Sequence, residues 1–127
     1  MNAEKVIFSF VIVLALTLNF GFFMGEMEDP THHNIYELFA TIFVNFLATG
    51  LKLGDRTQVG AVLLSTSLVA NLQLVAAASV WGYVEHVSGT GLTPENTSMM
   101  VSLTGGALIA NVVSVVMLVS DTLMSRR

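Results

Sequence analysis

The chain has 127 residues, 54% of them hydrophobic and only 11% charged, with a formal net charge of -4 and no cysteine. A soluble domain of this size, with a mean hydropathy of +0.74, has too little interior to hide so much apolar surface. The absence of cysteine excludes disulfides, thiolate metal sites and covalent haem attachment, and the acidic balance gives no reason to expect a nucleic-acid partner.

Apolar runs cover residues 6–24, 35–53, 59–84 and 99–124. Each reaches the ~18 to 20 residues that cross ~30 Å of hydrocarbon. The expected architecture is an all-α membrane protein, one domain over 1–127, with helices near 6–24, 35–53, 57–84 and 95–124 joined by short loops. The first run is longer than a signal-peptide core, and Phe22-Phe23-Met24-Gly25-Glu26 offers no small-x-small cleavage site, so it reads as a retained helix. Basic residues are kept on the cytoplasmic side of short loops. Lys5 precedes the first run, Lys52 and Arg56 flank the second turn, and Arg126 and Arg127 come last. Both termini are therefore expected in the cytoplasm.

The first outward connector gathers Glu26, Glu28, Asp29, His32 and His33, with Glu85 and His86 expected on the same side. These types suit a divalent cation or acid sensing, but the irregular order and the lack of a helical H-x-x-x-H pair give no metal site. In the second helix Glu37, Thr41, Asn45 and Thr49 recur every four residues and climb one side. Two readings of this stripe remain: a path lined by several copies, or helix contact and capping. Glu37 itself follows Asn34 by three and reads either as the acid of a capping box or, from a start at Asp29-Pro30, as a functional carboxylate nearer the bilayer.

Gly54 is the natural stop of the second helix, and Asp55-Arg-Thr-Gln58 has capping-box spacing for the third. Asn71 and Asn111 fall near the middle of the third and fourth runs, in Leu68-Val-Ala-Asn71 and Leu108-Ile-Ala-Asn111, and are expected to share a midplane packing layer with Asn45. A buried amide needs partners that hydrocarbon lacks. Thr93-Pro94-Glu95 marks the start of the fourth helix. That helix carries Ser102, Gly106, Ala110 and Ser114, a strip of small residues that lets another backbone approach. The partner is either a helix of the same chain or a second subunit. No nucleophile with a base, phosphate loop, potassium filter or haem-ligand pair can be assembled, so neither catalysis nor a cofactor is expected.

The segments "ALTLNFGFFMG", "HHNIYELFATIFVNFLATGLKLGDRTQVGAVLLSTSLVANLQLVAA" and "SGTGLTPE" resemble a family of small uncharacterised four-helix inner-membrane proteins of Gram-negative bacteria. The resemblance runs nearly end to end. It implies a multi-pass inner-membrane location and an association with genes for potassium channels that carry a cytoplasmic nucleotide-binding domain; it assigns no residue. The leading expectation is thus an accessory or oligomerising subunit of a cation-transport system, in contact with the lipid bilayer and with itself or another membrane protein. The alternatives are a self-assembled channel lined by the second helix and a purely structural scaffold.

Overall fold

The computed structural model of the chain describes residues 3–26, 28–53 and 57–124. They form four helices, α1 (Ala3–Phe23), α2 (Ile35–Lys52), α3 (Gln58–Gly82) and α4 (Pro94–Met124), and no strand among the described residues. All four are long and apolar enough to cross a membrane. A 3-10 turn, Pro30–His32, precedes α2, and a π-helical turn, Tyr83–Val87, continues α3.

Local chemistry sets the helix ends. The Asn34 side chain accepts from the Tyr36 amide at 2.8 Å, opening α2 at Ile35. Asp29 caps only the short 3-10 turn, through Thr31 N at 2.9 Å; the backbone is extended at His33 and Asn34, so the alternative start of the second helix at Asp29-Pro30 is not the one taken. Thr57 caps α3 by accepting from Gly60 N at 2.9 Å. Helix α3 thus begins at Gln58; the expected Gly54 stop and Asp55 box fall on 54–56, outside the described residues. Pro94 opens α4 under the Thr93 hydroxyl, which accepts from Asn96 N at 3.1 Å. Helix α1 begins earlier than its apolar run, at Ala3, because Ala, Glu and Lys extend a helix readily.

Each helix packs on its neighbours in chain order, and α4 closes the ring against α1. One end of the bundle therefore carries Ala3, Lys52, Gln58 and Met124, here termed the terminal end; the far end carries the loop after α1 and the one before α4. The interior faces are built from small residues, Ala15, Ala48, Ala70, Ala77, Ala107 and Ala110, all buried, while Phe10, Phe43, Leu72 and Ile109 point outward. This arrangement suits lipid, where hydrophobicity cannot drive helices together and close packing and polar contacts must. The α3/α4 contact is the most extensive, with Ala70, Leu74, Ala77, Met100, Ala107 and Ala110 joined to Phe22 and Leu38 in one core.

Candidate functional site

Within the four helices Asn19, Thr41, Asn45, Lys52, Ser67, Thr97, Thr104, Asn111 and Ser114 are buried. On α2 the hydroxyls and the amide of the stripe donate to carbonyls of their own helix. The Thr41 hydroxyl donates to Glu37 O at 2.7 Å, the Asn45 amide to Thr41 O at 2.8 Å and the Thr49 hydroxyl to Asn45 O at 2.9 Å. Thr41 and Asn45 are buried, and Glu37 and Thr49 are half-buried. The Glu37 carboxylate lies against α1, where a Cβ on Gly21 would sit 2.5 Å from its Oε2. A glycine is what admits the acid there.

The midplane amides divide between two hydrogen-bond networks. Asn71 reaches α2, donating to Thr49 Oγ1 at 2.7 Å. Asn111 instead meets Asn19 of α1, which is fully buried. Its surroundings, a carbonyl on one side and two N–H donors on the other, orient the Asn19 amide: the nitrogen donates to Thr104 O at 3.0 Å, and the oxygen accepts from Leu108 N and from Asn111 Nδ2, each at 3.0 Å. Thr104 O and Leu108 N are the two ends of one helical turn of α4. A side chain from α1 thus addresses the backbone ladder of its neighbour, beside Gly105 and Gly106. Asn45 bonds its own helix, donating one turn back to Thr41 O.

The small strip on α4 faces its own chain over most of its length. The amide of Gln73 on α3 occupies the space a Cβ on Gly106 would fill, and the Phe23 ring sits 2.8 Å from where a Gly105 Cβ would be. Ala110 and Ser114 are buried, whereas Ser102 is exposed. The Asn71 and Gln73 carbonyl oxygens have no hydrogen-bond partner.

At its terminal end the α2 stripe runs into Lys52, which sequence reasoning used only to orient the second turn. Lys52 turns inward and is 2% exposed. Its Nζ donates to Ser67 Oγ of α3 at 2.6 Å and to Ser114 Oγ of α4 at 2.8 Å. Both serines are buried, so one ammonium ties three helices together. The signal was helical phase: Leu38, Thr41, Asn45, Ala48 and Lys52 follow one another by three or four residues, and all are buried.

At the far end the histidines hold the loop. His32 Nδ1 accepts from Glu26 N at 2.8 Å, and its Nε2 lies 3.3 Å from Asp29 Oδ2. His33, buried, faces Phe22 O through Nδ1 and Glu26 O through Nε2. The Asp29 carboxyl is held below its usual range, first by the Thr31 hydroxyl and amide, then by the two imidazoles. Among the described residues no group of His, Asp and Glu is placed to hold a metal ion.

Residues 32–122 match a family described as a family of unknown function, DUF6394. No curated protein matches the chain, and no solved structure does.

Proposed function

The chain belongs to the DUF6394 family of unknown function, and on that footing we propose that it is an accessory subunit of a membrane cation-transport system, working through its lipid-facing surface on further copies or on another membrane protein. The proposal includes a bacterial inner-membrane location with the terminal end in the cytoplasm, in keeping with all five basic residues.

One observation carries it: the polar stripe that offered a path is hydrogen-bonded within the protomer and ends on a buried ammonium. A monovalent cation passing ~5 Å from Lys52 Nζ meets a repulsion of about 3 kcal/mol at an effective dielectric of ~20. Fixed positive charge of this kind excludes cations from pores. The outward faces of the helices are then what is left for a partner to use.

Purified protein reconstituted into vesicles tests this reading through rubidium uptake. Uptake no faster than in protein-free vesicles is expected. Gentle extraction after cross-linking should recover the chain with a second copy or another membrane protein. Rapid uptake by the chain alone, abolished by Asn45→Leu, would instead favour a conducting α2.

A further inference from the structure

His33 sits where α1 ends and α2 is about to begin, and both of its ring nitrogens face backbone carbonyls: Nδ1 faces Phe22 O and Nε2 faces Glu26 O at 2.8 Å. A carbonyl oxygen can only accept. A neutral imidazole carries one N–H and one bare nitrogen lone pair, so it can serve one of these carbonyls while directing a lone pair at the other. Only the imidazolium donates to both.

The neighbouring ring has the opposite requirement. His32 Nδ1 accepts the Glu26 amide at 2.8 Å, which demands a bare nitrogen there, and its Nε2 then carries the proton toward Asp29 Oδ2 at 3.3 Å. The amide and the carbonyl of Glu26 are thus held by adjacent imidazoles, one neutral and one cationic. These four contacts of the two rings are satisfied together by a single extra proton on the pair, carried by His33.

The surroundings suit a cation. Phe22 O is among the last carbonyls of α1, which the helix itself leaves unpaired and where positive charge is favourable. The Phe22 ring lies 5.5 Å from the imidazole of His33. Of the charged groups on the same loop, Glu26 and Glu28 are exposed, while Asp29 and His32 flank the ring, the His32 centroid at 6.5 Å. Helix α2 contributes Glu37, one turn in, with its carboxylate on Gly21. Helix α1 brings no charged side chain to this end, its Glu4 and Lys5 lying at the other. Glu85 and His86 after α3 and Glu95 in α4 lie at the far end of the bundle and are exposed.

We propose that His33 is a proton-binding latch: as imidazolium it clamps the end of α1 to the start of α2, and on losing its proton it releases one of the two carbonyls. Because Phe22 belongs to the core that also contains Leu38, the release is felt inside the bundle. The clamp is complete when both ring nitrogens carry protons and is lost when either is bare, because each faces a carbonyl that can only accept. With the terminal end in the cytoplasm, as proposed above, the latch faces the outer side.

The test is nitrogen-15 NMR of the imidazoles in the intact chain in nanodiscs, assigned with His32→Gln and His86→Gln variants. At pH 5.5 both His33 nitrogens should carry protons while His32 Nδ1 does not. On raising the pH to 7.5, hydrogen exchange at the Met24 and Asp29 amides, corrected for intrinsic base catalysis, should speed up about tenfold, the scale of one lost charge-assisted hydrogen bond. His33→Gln should abolish that pH response. A singly protonated His33 throughout this range in the wild-type chain overturns the latch, as does the same pH response in His33→Gln; the wild-type spectrum decides the matter even if the variant fails to fold.

Discussion

Lys52 shows how far a single side chain departs from what its type suggests. A lysine at a helix end ordinarily snorkels to water, yet this one points into the bundle, to Ser67 and Ser114. Burying an ammonium costs several kcal/mol even after relaxation, and two charge-assisted bonds return about 1.5–3 kcal/mol each. Removing the charge and removing its acceptors should therefore differ in sign. Lys52→Met is expected to leave stability unchanged or raise it by about 1–4 kcal/mol, whereas Ser67→Val, which strands the ammonium, should lower it by about 1.5–3 kcal/mol; unfolding by SDS titration in mixed micelles measures both. Equal losses in the two variants would mean that the lysine organises the fold rather than burdening it. The Asn19–Asn111 contact is the second test at this scale. A double-mutant cycle with leucine at each position should return a coupling of about 0.6–1.7 kcal/mol, the range for bonds between membrane helices.

Between helices, glycines decide which pairs come close. Gly21 admits the Glu37 carboxylate, Gly105 the Phe23 ring and Gly106 the Gln73 amide. Gly106→Leu would force Gln73 out of the α3/α4 seam. The expected result is a monomer destabilised by about 1–3 kcal/mol, seen as a lower melting temperature, not an intact subunit freed from its neighbours. The helices and their caps were legible in the chain because run length and cap residues are local: Asn34 and Thr93 act where their types and spacing indicated. Gly106 was legible as a close-approach residue, but its partner was not, since a strip of small residues carries no information about what lies on it. The burial of Lys52 was not legible, for a different reason. A charge count locates basic residues along the membrane normal, whereas burial depends on the angle around the helix. The amides of Asn45, Asn71 and Asn111 were matched by depth alone, and that same missing angle separates them into two networks.

For the whole molecule, the ring of four antiparallel neighbours places both described ends of the chain together. With Lys5 and Lys52 at that end, Ser125→Cys and Thr90→Cys should react with an impermeant thiol reagent from opposite sides of the membrane; labelling of both from outside would reverse the proposed orientation. The helices of the ring are unequal in length. Helix α2 has 18 residues and α4 has 31, which at 1.5 Å per residue are rods of about 27 and 46 Å. A bilayer ~30 Å thick fits the first and is overrun by the second. Helix α4 must lean strongly or rise above the surface, and its closing turns, with Ser120, Asp121 and Thr122, have the polarity to stand in water. The short helix sets the thickness the protein tolerates, and the long one has to absorb the difference by tilt or by standing above the surface. Reconstitution into phosphatidylcholines of increasing acyl length should show greatest stability in the thinner bilayers, with α2 the first helix to lose protection as the lipid thickens.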